Sequence, residues 1–250
     1  KRLEAEKLEA ERLAAVGKTV AGLAHGIKNV LTGLEGGEYM LNSGLQKADP
    51  ERIQKGMDML KRNTNRVSTF VKEFLSFSKG QEIETAMCDP VDIAREVMNT
   101  YSVKINQIGI NLIADFQENI SPAPMAAESM HECLSNILGN AIDACRISED
   151  QEDLQIILRV LEQDNTIIYE VSDNGCGMDY EVKKKVFTTF FTTKGLGGTG
   201  LGLLMTKKIV QQHGGQVEFE SVLDQGTTFK ITLPRDRLPR LTQPAETESA

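Results

Sequence analysis

Apolar residues at Val16, Val20, Leu23, Ile27, Val30 and Leu34 are separated by alternating steps of four and three, the spacing of a helix with one apolar stripe. A second run, Ile53, Met57, Leu60, Thr64, Val67, Val71 and Phe74, repeats the alternation with one polar member. Between them lies "KADPERI", where Pro50 suits the first position of a new helix. The pattern predicts an antiparallel helical hairpin, and a hairpin buries each of its helices on one side only. Two hairpins forming a dimeric four-helix bundle complete the burial, so a homodimer is expected. From about residue 85 helices and strands alternate. Helices are predicted near 90–106, 127–147, 180–186 and 201–213, and strands near 110–116, 154–161, 166–173, 216–221 and 227–233. The fold class is therefore α+β: an N-terminal hairpin over 1–80, then a two-layer α/β sandwich over 85–235. A polar tail over 236–250, with Pro239 and Pro244, is expected to be disordered.

Composition narrows the partners. A formal net charge of −8 offers no attraction to nucleic acid or anionic lipid, and neither is expected. No run of roughly 18 apolar residues is present, so no direct membrane contact is expected of this stretch. The four cysteines, Cys88, Cys133, Cys145 and Cys176, form no CxxC pair; zinc is not expected, and reduced thiols point to the cytoplasm. The chain opens without methionine inside "KRLEAEKLEAERL", which reads as part of a longer helix and of a longer protein.

Four features carry candidate chemistry. His25 in "LAHGIKN" lies about 200° round its helix from both Leu23 and Ile27, so it points away from the apolar stripe. Its neighbours Ala21, Gly22, Lys28 and Asn29 make that face small and polar, which suits either a solvated histidine or a reactive one. In "HECLSNILGNAIDAC", Asn136 and Asn140 are one turn apart, with Glu132 before and Asp143 after. Neutral carboxamides suit a Mg²⁺ ion that already carries phosphate oxygens; the plainer reading is a pair of surface asparagines. "VSDNGCGM" ends an apolar strand at Asp173, followed by Gly175 and Gly177, and reads as an Asn-Gly turn or as a carboxylate beside a planar ring. "GLGGTGLGL", with Gly195, Gly197, Gly198, Gly200 and Gly202, runs into a helix, where backbone amides can hold phosphate.

Taken in order, "NILGNAIDA", "DNGCGM", "FTTFFTTK", "GTGLGL", "HGG" and "GTTFKITLP" resemble the catalytic ATP-binding domain of sensor histidine kinases. "LAHGIKN" in a hairpin resembles their dimerisation and phosphoacceptor domain. The resemblance implies ATP and Mg²⁺ as cofactors. Asp173 would take the adenine amino group with Gly175, Gly177 and Thr227 beside it, and Asn136 and Asn140 would hold Mg²⁺ and phosphates, with Asp143 nearby. Residues 187–199 would be the ATP lid, with Phe190 and Phe191 at its base and Lys194 near the phosphates. Gly198, Thr199, Gly200, Leu201 and Gly202 would wrap the triphosphate. His25 would accept the phosphoryl group and pass it to an aspartate on a response-regulator receiver domain.

Two departures matter. Related gyrase-type and chaperone ATPases carry a water-activating glutamate four residues before the metal-binding asparagine; Asn136 stands there, which favours transfer to a nucleophile over hydrolysis. Most family members have an acidic residue directly after the histidine, where this chain has Gly26, and Val30 replaces a frequent proline. Gly26 costs helix stability by about 1 kcal/mol against alanine and leaves His25 without that neighbouring base. Asn29 matches the position that orients water for dephosphorylating the regulator. A phosphatase-biased or pseudokinase dimer that binds nucleotide is therefore the alternative. His131 is expected to be solvated, and His213 to sit at a helix end where a partial positive charge suits the dipole.

Overall fold

The structure is a computed structural model, and it describes residues 27–28, 30–78, 83–148, 153–188, 191–192 and 200–242. Contacts divide the chain into two compact units: one carries the hairpin together with the described residues of 185–204, and the other, residues 81–184 and 205–250, carries the mixed sheet.

In the hairpin, helix α1 covers residues 27–47 as far as they are described, and α2 is Pro50–Ser78. Pro50 opens α2 as expected, and Asp49 caps it by accepting from the Arg52 N–H at 3.1 Å. The inner seam differs from the predicted one. Gly33, Gly37, Gly44, Gly56 and Asn63 are the inward residues with Val30, whereas Ile27, Met57, Thr64, Val67 and Val71 of the apolar stripes are exposed in the single chain. A Cβ on Gly56 would lie 2.5 Å from the Leu41 nitrogen, and one on Gly44 would lie 2.7 Å from the Ile53 nitrogen. The helices meet backbone to backbone because glycine has no side chain to hold them apart. The apolar stripe is thus left mostly outward, and residues 1–26 of its α1 half lie outside the described residues.

The second unit begins with β1 (Ala86–Cys88) and α3 (Pro90–Gln107), then β2 (Asn111–Phe116), β3 (Ala123–Met125) and α4 (Ala127–Ile147). β4 (Gln155–Gln163), β5 (Thr166–Asp173), α5 (Tyr180–Lys185), α6 (Gly202–Gln212), β6 (Gln216–Val222) and β7 (Gly226–Pro234) follow. The main sheet runs β2-β4-β5-β7-β6, with only β2 and β4 parallel, and β1 pairs with β3 in a separate two-stranded ribbon. That ribbon, three residues on each strand, is absent from the sequence reading.

Strand alternation builds the core. Ile156, Leu158 and Val160 of β4, Tyr169 and Val171 of β5, and Phe229, Ile231 and Leu233 of β7 are buried, as is the face of α4 made by Met130, Leu134, Ile137, Leu138 and Ile142. A row of opposite charges, Asp115, Arg159, Glu170, Lys230 and Glu218, crosses the five strands in register. Arg159 bonds to Asp115 at 2.6 Å and to Glu170 at 3.2 Å.

The start of the expected disordered tail is ordered. Residues Arg235–Arg237 form a 3₁₀ turn, and Arg235 holds Glu162 through two hydrogen bonds at 2.6 and 2.8 Å. Thr242 donates its N–H to the Thr85 carbonyl at 3.2 Å, and its hydroxyl accepts from the Thr85 N–H at 2.9 Å. Polar composition suggested disorder, but these polar groups find partners within the domain. Residues 243–250 lie outside the described residues.

Candidate nucleotide-binding site

Asp173 reaches its place by strand periodicity. It stands two residues beyond Val171 and four beyond Tyr169, so the alternation that buries those side chains also turns the carboxylate inward, at the very end of β5. Burial disfavours the anion, and its pKa is pushed up to about 6, against the pull of the Gly175 and Thr227 backbone amides that donate to the carboxylate. The Gly175 bond is 3.0 Å long. Thr227 is the direct cross-strand partner of Asp173 and is itself buried. Ser221 fixes it: the two hydroxyl oxygens lie 2.9 Å apart, and Ser221 Oγ also donates to the Gly226 carbonyl at 3.1 Å.

The turn after Asp173 needs its glycines. A Cβ on Gly175 would lie 2.6 Å from the Ala144 carbonyl carbon of α4, so only glycine lets this turn press against the helix. Gly177 has φ +61° and its Cβ would lie 2.0 Å from the Val222 carbonyl oxygen. The Cys176 N–H donates to the Ala144 carbonyl at 3.2 Å, and the Asp224 N–H of the β6–β7 turn donates back to the Cys176 carbonyl at 2.8 Å. The turn is thereby tied to α4 on one side and to the β6–β7 turn on the other.

α4 spans the predicted 127–147 and buries one face, leaving Glu132 exposed and Asn136, Asn140 and Asp143 half-buried on the other. Gly200 has φ +69°, Leu201 is fully buried and Gly202 begins α6. His25, Asn29, Phe190, Lys194, Gly198 and Thr199 lie outside the described residues, as does Gly26.

His213 differs from its expectation. It is completely buried, its Nδ1–H donates to the Ile209 carbonyl at 2.8 Å, and its Nε2 accepts from the Ala126 N–H at 3.0 Å. An acceptor at Nε2 requires the neutral ring, and desolvation lowers the pKa. The histidine bolts the end of α6 to the start of α4 and carries no charge to the helix dipole. Sequence reasoning also missed Asn174, Ser221 and Gly226; only the "GTT" after the β6–β7 turn hinted at the last.

A buried carboxylate at a strand end, a glycine turn pressed on a helix and an asparagine face along that helix define a nucleotide-binding α/β sandwich. The family model described as histidine kinase-, DNA gyrase B- and HSP90-like ATPase matches residues 125–237. The sensor kinase CckA of Brucella abortus (strain 2308) is 30% identical over 246 residues, which cover 94% of this chain and 26% of that protein. The signal transduction histidine-protein kinase AtoS of Escherichia coli (strain K12) is 29% identical over 227 residues, 90% of this chain and 36% of its own. Among solved structures, the histidine kinase ThkA in complex with the response regulator protein TrrA aligns with a TM-score of 0.74 at 26% identity, over 94% of this chain and 66% of that one. The chain belongs to the sensor histidine kinases, and its sheet domain is their ATP-binding domain. It spans 26% and 36% of the length of these two curated relatives. No helix among the described residues is long and apolar enough to cross a membrane.

Proposed function

We propose that this chain is the core of an ATP-dependent protein-histidine kinase that phosphorylates His25 and hands the phosphoryl group to an aspartate of a response-regulator receiver domain. The observation that carries the reading is the buried Asp173 carboxylate, held by backbone amides at the end of a core strand where it costs stability and where an adenine amino group would find its acceptor. The matching of 94% of the chain to a histidine kinase crystallised with its regulator supports the partner.

The residues present fit a magnesium-nucleotide. Asn136 and Asn140 supply uncharged oxygens on one face of α4, and no group of three His, Cys, Asp or Glu side chains among the described residues builds a protein cage. Mg²⁺ bound with the phosphates would neutralise their charge. In the transfer a neutral imidazole nitrogen of His25 attacks the γ-phosphorus, the N–P bond forms as the bridging P–O bond breaks, and ADP leaves with that electron pair. The remaining ring proton must then leave, and Gly26 offers no side-chain base to take it. Regulator phosphorylation reverses the polarity: a carboxylate oxygen attacks phosphorus and the imidazole leaves. Asn29, four positions after His25 in the sequence, would orient water for the opposite activity on the regulator.

The exposed stripe of Ile27, Leu31, Met57, Val67 and Val71 supports the two-hairpin dimer, since it is apolar surface that a second hairpin would cover. Calorimetric titration with ATP, with and without Mg²⁺, tests the nucleotide reading. Binding that requires the cation and vanishes in Asp173→Asn is expected; binding unaffected by that substitution contradicts the assignment.

A further inference from the structure

β4 and β5 separate after the pair formed by Ile156 and Asp173. Regular pairing would next match Gln155 with Asn174; one backbone bond of that pair remains, and a side chain replaces the other. The Gln155 N–H donates to Asn174 Oδ1 at 2.8 Å, Asn174 Nδ2 donates to the Asp153 carbonyl at 3.0 Å, and the Asn174 N–H donates to the Gln155 carbonyl at 3.3 Å. A carboxamide carries one acceptor and one donor group side by side, as an extended peptide does, so it can cap a strand that has lost its neighbour. The main chain is then released to turn out of the sheet toward α4, where the Cys176 amide is bound.

An ordinary Asn-Gly turn would use its carboxamide locally. Here both side-chain bonds go to residues 153 and 155, across the sheet end. Asp173 is the last residue before this departure point and Gly175 the first after it, and the Gly175 N–H is what fixes one carboxylate oxygen. The direction of the Asp173 carboxylate therefore depends on where Asn174 anchors the chain.

We propose that Asn174 is a positioning residue for adenine recognition: its clamp on the end of β4 holds the Asp173 carboxylate in the orientation that accepts from a purine 6-amino group, and so sets selectivity against 6-oxo purines. The inference rests on the reading that this site binds ATP. Asn174 need not touch the nucleotide; it acts through Asp173.

The test compares ATP with inosine triphosphate, which presents an acceptor where ATP presents a donor. Wild-type protein prefers ATP. Asn174→Ala weakens ATP by about ten-fold, the scale of one misplaced bond to a charged group, and changes inosine triphosphate by less than about two-fold. Asn174→Asp keeps the acceptor for Gln155 but loses the donor for Asp153, and falls between; it carries the test if the alanine variant does not fold by circular dichroism. A fall of equal size for both nucleotides in a folded variant, or no change in either variant, overturns the positioning role while leaving ATP binding intact. A wild-type protein without preference for ATP overturns the underlying reading and this inference with it.

Discussion

At the scale of single residues, Asp173 trades stability for function. The folded protein keeps its proton up to about pH 6, whereas the unfolded chain releases it near the ordinary value of 3.8. Stability from this group is therefore present below about pH 4 and is lost as pH rises through about 6, at a cost of roughly 3 kcal/mol at neutrality. Asp173→Asn should melt several degrees above wild type at pH 7.5, converge with it near pH 4, and lose ATP binding. ATP affinity of the wild type should fall as acidification below about pH 6 protonates the carboxylate. His213 has the opposite sign. Its lowered pKa makes its contribution full above about 6.5 and lost as pH falls, so acidification from pH 7 to 5 should destabilise wild type more than His213→Gln in thermal melts. The buried end of β5 at Asp173 and the tight glycine turn after it were legible because an apolar strand runs straight into them. The burial of His213 was not, because a helix-end histidine before two glycines looks the same in sequence whether the chain beyond covers it or not.

At the scale of elements, the sequence pattern placed the start of the second hairpin helix at Pro50 and the five main strands to within two residues, but failed where contact is made without apolar side chains. The α1–α2 seam is written in glycine, which hydrophobic spacing does not register, and Gly33 gives its place to the carboxamide of Asn63. A Cβ on Gly33 would lie 2.4 Å from Asn63 Oδ1, while Asn63 Nδ2 donates to the Met59 carbonyl at 2.8 Å. Gly33→Ala should destabilise the hairpin by about 1–3 kcal/mol, and Asn63→Ala should relieve part of that loss, giving a favourable coupling of about 1 kcal/mol in a denaturation double-mutant cycle. The β1–β3 ribbon escaped notice because three-residue strands carry no period to read. The tail escaped because its order comes from Arg235 and Thr242 reaching residues more than seventy positions away.

At the scale of the whole molecule, the exposed apolar stripe of the hairpin is the feature a lone chain leaves unsolved. Sedimentation equilibrium should give twice the chain mass of 27.6 kDa, and paired charges at Val67 and Val71 (V67E with V71E) should shift it to the single-chain mass without loss of ATP binding. The central claim joins two sites on one chain: a nucleotide held by the sheet domain and a histidine on the hairpin. Its most direct test is incubation with Mg²⁺ and γ-labelled ATP beside His25→Gln. The account predicts acid-labile label on the wild type and none on the variant, at a slow rate set by Gly26. Label that persists in His25→Gln, or steady phosphate release without any labelled protein, would contradict it.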